Sequence, residues 1–242
     1  MKTHARQIEL GGRQLAYRLK RSTRRTIGLK IDADGLTITL PRLTPEREAE
    51  RVIRDKCDWI LPRLEKHAAK RRPELTGAHG QAVGYLGRSL RLTHIPHAKA
   101  RTLVRAEDDA LIVHVDERLD GDLRDATVLR AIRRWRREEA AKAMTPRIAH
   151  YASLLDQSVP PVMVREQASR WGSCASDGTI RMNARLIAFD SELIDYVCAH
   201  EACHLIEMNH SDRFYALLDR ILPGHKLLRR TLRDAAMPGD AY

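Results

Sequence analysis

The residues of this chain best suited to chemistry lie in one short run, His200-Glu201-Ala202-Cys203-His204. On a helix, where each residue turns by about 100° and rises about 1.5 Å, His200 and His204 stand about 40° apart on one face and about 6 Å apart along the axis. Both imidazoles can then reach a single zinc ion. Glu201 is displaced by about 100° around the helix, so its carboxylate can take a proton from a water at the metal without being a ligand itself. The spacing predicts a zinc site with an adjacent general base, an arrangement suited to metal-assisted hydrolysis.

A third ligand is needed, and two residues compete for the place. Glu207 falls within about 20° of His200 and could coordinate if the helix continues. His210 would face away in an unbroken helix, and it swings back only if the helix ends first. Asn209 tolerates the left-handed backbone found at helix ends, and Ser211-Asp212 can start the next helix, so a turn at 208–210 is expected. That turn favours His210 as ligand, with Glu207 behind it.

The helix that carries this run begins at an Asp190 or Ser191 cap and extends to about Glu207. It is apolar on nearly every side, with Leu193, Tyr196 and Val197 on the histidine face and Ile194, Cys198 and Leu205 on the other. A helix apolar all round is buried, and polar groups placed in it need partners. Chance placement of the five residues with hydrogen-bonded core histidines is the competing explanation, and burial together with a third candidate ligand argues against it.

Up to about residue 118 the pattern is strand-like. Ile8 to Leu10, a Gly11-Gly12 turn, and Gln14 to Leu19 come first; Ile27 to Ile31, a turn at Asp32 to Gly35, and Leu36 to Leu40 then read as a hairpin. A helix near 45–67 starts at Thr44-Pro45 and uses Val52, Ile53, Trp59, Ile60 and Leu64 as its apolar face, which makes Trp59 a core residue. Residues 71–80 read as a loop, followed by strands at Val83 to Ile95, Thr102 to Ala106 and Ala110 to Val115. From Asp122 the period becomes helical, Leu123, Leu129, Ile132 and Trp135 recurring through a basic segment, with Pro146 expected to kink that helix or begin another. Val162 to Val164, Ser169 to Ala175 and Thr179 to Leu186 form a small sheet, and helices near 211–221 and 224–235 close the chain. No sequence repeat is visible. The fold class is α+β: a strand-rich region over 1–120 with one helix, then a helical, zincin-like hydrolase domain over 121–242 with a small β-sheet.

Composition narrows the partners. The 242 residues, 43% hydrophobic and 31% charged, suffice for a packed core and exclude disorder as the default. No apolar run exceeds five residues, against the ~18 of a membrane-spanning helix, so no membrane role and a cytoplasmic protein are expected. Four cysteines, none in a Cys-x-x-Cys pair, point to reduced thiols; Cys174 and Cys203 read as small buried hydrophobes rather than ligands. The net charge of +11 favours anionic partners, yet aromatic residues are only 5% and form no stacking platform, so weak, non-specific nucleic-acid binding is the most that is expected. The arginine runs read first as solvated faces.

Trp171, Ser173 and Asn183 fall on the small sheet, where an edge strand could take an extended peptide by strand addition; Trp171 as a core plug, with Ser173 and Asn183 as structural polar groups, is an equal reading. Arg170 and Tyr215 are candidates for stabilising an oxyanion. The other histidines have no partner at ligand spacing.

Arg170-Trp171-Gly172-Ser173-Cys174, Asn183-Ala184-Arg185-Leu186, His200-Glu201-Ala202-Cys203-His204 and Met208-Asn209-His210-Ser211 resemble the YgjP-like metal-dependent hydrolases, a family similar in its core to SprT-like zinc proteases. The likeness is good over about 120–235 and looser before it, where Arg24-Arg25-Thr26-Ile27 and Trp59-Ile60 match. It implies His200, His204 and His210 as metal ligands, Glu201 as catalytic base and a zinc metallopeptidase acting on a peptide or protein. The family's alternative label implies a nucleoside triphosphate (UTP) pyrophosphatase with the same site. A nucleic-acid-associated protein with a structural zinc ranks last, because structural sites are generally closed by four protein ligands. Where this chain has Ala184, the family often has an aromatic residue.

Overall fold

The computed structural model describes residues 3–10, 12–32, 35–70, 75–99, 101–167 and 170–234. The expected turns at Gly11 and at Ala33-Asp34, the loop residues 71–74 and Ser169 lie outside the described residues. The chain forms two compact units, Met1–Arg72 and Pro73–Tyr242.

The first unit is a four-stranded sheet with two helices. Strands β1 (Thr3–Leu10), β2 (Arg13–Ser22), β3 (Gly28–Asp32) and β4 (Gly35–Pro41) lie in the order β1-β2-β4-β3. β1 with β2 and β3 with β4 are antiparallel, while the inner pair β2 and β4 is parallel. Alternation buries Tyr17, Leu19, Leu36, Ile38 and Leu40 against Ile53 and Ile60. The single helix expected near 45–67 is two, α1 (Arg47–Asp55) and α2 (Cys57–Lys70), parted at Lys56, whose φ of −114° and ψ of 19° leave the helical region. That break resets the helical phase, which corrects the placement of Trp59. It is 40% exposed, with the Arg63 guanidinium 4.2 Å above its ring.

The second unit opens with the same sheet topology. Strands β5 (Ala82–Tyr85), β6 (Arg88–His97), β7 (Leu103–Glu107) and β8 (Ala110–Asp116) lie in the order β5-β6-β8-β7, again with a parallel inner pair and antiparallel outer pairs. From Arg13 to Arg88, Gly28 to Leu103 and Gly35 to Ala110 the corresponding strands start at a constant offset of 75 residues and have equal lengths. The second sheet is therefore a structural repeat of the first, although the sequence shows none. Leu86 and Gly87, both with positive φ, form the two-residue turn between β5 and β6, a geometry that matches strand twist.

Helix α3 (Gly121–Leu154) follows, so the change of period near 119–122 marks the passage from β8 to α3 inside the second unit. Val128, Ile132 and Trp135 of α3 pack with Leu90, Leu92, Leu111 and Val113 of the sheet. No second helix begins at Pro146: α3 runs through it, with Met144 and Ile148 on either side fully buried. Beyond α3 lie β9 (Val162–Arg165), β10 (Gly172–Cys174) and β11 (Ile180–Asn183), a sheet of order β10-β11-β9 in which β10 is an edge strand. A 3-10 turn (Ala184–Ala188) and the helices α4 (Ser191–Cys203), α5 (Asp212–Ile221) and α6 (His225–Asp234) complete the unit. α4 packs against α3, β10, α5 and α6. Among the described residues no helix is long and apolar enough to cross a membrane.

Candidate metal centre

Asp190 starts α4 by accepting a hydrogen bond from the Leu193 N–H at 2.9 Å. The helix ends at Cys203, a turn earlier than the expected 207, and His204 is its C-cap residue. Backbone bonds from Leu205 to Ala202 and from Ile206 to Cys203 tighten the last turn. The chain then reverses through 208–210, and Ser211 caps α5 by accepting from the Phe214 N–H at 3.4 Å. This early end carries His210 back over α4.

His200, His204 and His210 converge. Their ligand nitrogens all lie within 4.8 Å of one another, and the three ring centroids are 4.9 to 5.0 Å apart. His210 Nε2 is 3.0 Å from His200 Nε2. Two imidazole nitrogens bound tetrahedrally to zinc at ~2.0–2.1 Å stand about 3.3 Å apart, so small shifts of these side chains fit such an ion. His204 Nδ1 donates to the Glu207 carbonyl at 2.9 Å, which fixes its tautomer and leaves Nε2 free. The Glu207 carboxylate accepts from the Asn209 N–H at 3.3 Å, stabilising the turn itself. Burial pushes the His200 pKa down to about 3 and also lowers that of His210, with neighbouring histidines adding to both, so the rings are neutral as metal coordination requires. The cluster sits at the C-terminal end of α4, where the helix dipole favours a cation.

Glu201 is 5% exposed, and among the described residues its Oε2 has no hydrogen-bond partner. Burial raises its pKa to about 8, against the opposing effects of the Arg170 charge and a backbone N–H at Cys174. Gly172 on β10 makes room for this carboxylate. A Cβ there would come within 2.5 Å of Glu201 Oε1 and 2.7 Å of its Cγ, inside contact distance. The edge strand and the Glu201 carboxylate are thus in van der Waals contact because residue 172 has no side chain.

Sequence reasoning missed two supports. Phe214, fully buried, places its ring 4.9, 4.6 and 4.8 Å from those of His200, His204 and His210, forming the floor of the triad. In the sequence it is an ordinary apolar residue at helical spacing, and only the Ser211 cap three residues earlier hints at its fixed position. His225, read as without a role, is buried and stacks between Tyr196 and Tyr215 at 6.4 and 6.3 Å, its Nε2 3.1 Å from Asp219 Oδ1. Phe214→Ala is expected to lower stability by about 3–5 kcal/mol and to weaken metal binding with no ligand removed, which denaturant unfolding and metal titration would report.

Other sequence candidates take structural places. Asn183 is fully buried, donating to the Gln167 and Arg170 carbonyls at 2.8 and 2.9 Å and accepting from the Arg185 N–H. Trp171 packs edge-on against Phe189 at 5.0 Å. Cys203 is buried and Cys174 half-buried, both as free thiols. Tyr215 presents its ring 6.4 Å from that of His210.

The family pattern described as YgjP-like, metallopeptidase domain, matches residues 25–235. No curated protein matches the chain. Among solved structures, the metallopeptidase zymogen of Pyrococcus abyssi abylysin is 21% identical, with 38% of this chain and 96% of that one covered and a TM-score of 0.35. The metallopeptidase zymogen of Methanocaldococcus jannaschii jannalysin is also 21% identical, with 39% and 86% covered and a TM-score of 0.33.

Proposed function

This chain belongs to the YgjP-like family of metallopeptidase domains, and we propose that it is a zinc-dependent peptidase in which His200, His204 and His210 hold the ion and Glu201 is the general base. The observation that carries this reading is the convergence of three imidazoles beside a buried carboxyl oxygen that has no hydrogen-bond partner among the described residues. When bound, zinc polarises a carbonyl and acidifies water to a pKa of ~7. Glu201 takes the proton from the attacking water and returns it to the leaving amine. The Arg170 charge partly offsets the effect of burial on the Glu201 carboxyl and so favours its ionised form. β10 is an edge strand, the position at which an extended peptide would add to the sheet, and Gly172 brings that strand against Glu201. Three protein ligands leave a coordination position open, which suits catalysis rather than a structural role. Four free thiols suit a reducing compartment such as the cytoplasm.

The test is elemental analysis of the purified protein, joined to assays against denatured proteins and a panel of nucleoside triphosphates with and without chelator. About one zinc per chain and chelator-sensitive cleavage of protein are expected. Hydrolysis of nucleotides alone would replace the substrate class, and full activity in metal-free protein would remove the metal from the mechanism.

A further inference from the structure

A cavity lies on α3, formed by residues outside the histidine cluster. Arg101, Arg130, Arg133, Arg134 and Arg137 line a cavity of about 580 Å³ together with Thr102, Thr127 and Ala131. Four of the arginines follow the i, i+3, i+4, i+7 spacing of one helix face, and Arg101 closes the cavity from the segment before β7. No acidic residue lines it. Arg133 is 3.9 Å from Glu166, a carboxylate that Arg136 and Arg185 approach at 3.4 and 3.8 Å. Arg130 donates to the Thr127 hydroxyl and Arg134 to the Thr102 carbonyl. Among the described residues no carboxylate lies within ion-pair distance of Arg101, Arg130, Arg134 or Arg137. Five guanidinium groups held in one open cavity without a matching negative charge repel one another, a cost that an anionic ligand removes.

We infer that this cavity binds the phosphate backbone of a nucleic-acid duplex without reading its sequence. The arginine row from 130 to 137 is roughly 10 Å long, and with the added reach of its side chains it covers about three phosphates of a duplex, each strand of which carries one charge per ~3.4 Å of helix axis. A single phosphate would leave most of the row unused. The lining contains no aromatic ring, so the stacking on which single-strand binding depends is missing. Guanidinium and hydroxyl donors suit phosphate oxygens, and those contacts set position rather than sequence preference. The inference is independent of the peptidase reading, because none of the cavity residues belongs to the histidine cluster.

The experiment is a salt titration of the full chain binding a mixed-sequence DNA duplex, compared with the same strand single and with inorganic triphosphate. The slope of log affinity against log salt is expected to be about −3, for three to four phosphates contacted. Arg130→Gln, Arg134→Gln and Arg137→Gln together should flatten the slope by about 0.9 per arginine and cost at least roughly tenfold in affinity at low salt. Lysine at the same three positions should restore most of the binding. An equal loss of charge elsewhere, with Arg51→Gln, Arg230→Gln and Arg233→Gln, should leave the slope nearly unchanged. Equal losses from both triple variants would overturn the inference, reducing the effect to net charge. So would a preference for single strands, or a stoichiometric triphosphate complex that displaces the duplex at physiological salt. Thermal unfolding of each variant shows whether the fold is kept, and the lysine variant supplies the same comparison if the glutamine variant is unstable.

Discussion

Glu201→Gln is expected to keep the metal and to lose hydrolysis by ~10²–10⁴-fold, the effect of removing a positioned general base. The glutamine has the same shape, so it fits the space left by Gly172 and can keep the contact with the Cys174 N–H. It leaves the three imidazoles in place, since Glu201 stands outside their cluster. Replacing an incompletely bonded buried carboxyl by a neutral amide should not cost stability. Metal content, thermal unfolding and turnover are measured on the same preparation. Loss of zinc with turnover per bound ion unchanged would make Glu201 a ligand or a core partner, and the catalytic assignment would fail.

His210→Ala is expected to lower zinc affinity by at least 10²-fold, whereas Glu207→Ala should lower it by far less. The first change removes one of three donors. The second leaves the Glu207 carbonyl, and hence the bond that orients His204, untouched; it removes only the carboxylate bond to the Asn209 N–H. A competition titration against a chromophoric chelator separates the two. If Glu207→Ala were the variant that empties the site, the third ligand would be misassigned.

The site was legible in the sequence wherever local hydrogen bonding dictates the backbone. Asp190 and Ser211 act as the helix caps their types suggest, and the turn between them follows from Asn209 and Ser211. The β3–β4 hairpin was legible through its alternation and turn. What escaped depends on contacts far apart in the chain. Pro146 allows a kink or a new helix, and the helix that runs through it buries Met144 and Ile148 on both sides, a packing that residue types alone do not announce. The exposure of Trp59 follows from two dihedral angles at Lys56, which residue spacing does not encode. The accommodation of Glu201 by Gly172 joins β10 to α4 across 29 positions of sequence. The repeated sheet escaped for another reason: strand lengths recur at the 75-residue offset, while few of the residues in or beside the strands do, among them Gly12 and Gly87, Arg13 and Arg88, Leu15 and Leu90, and Leu36 and Leu111.

The burial of Glu201 also makes metal capture an acidifying event. Without an ion, a carboxyl with a pKa of about 8 is mostly protonated at pH 7. A dication beside it favours the ionised form, so binding expels up to one proton. His200 and His210, already neutral, add none at that pH. On the proposed reading, occupancy of the site and ionisation of Glu201 would thereby be coupled, since a bound dication favours the carboxylate. The coupling has a sign: apparent affinity should rise by up to tenfold per pH unit toward pH 8 and then level off, and heats of binding should vary with the ionisation enthalpy of the buffer.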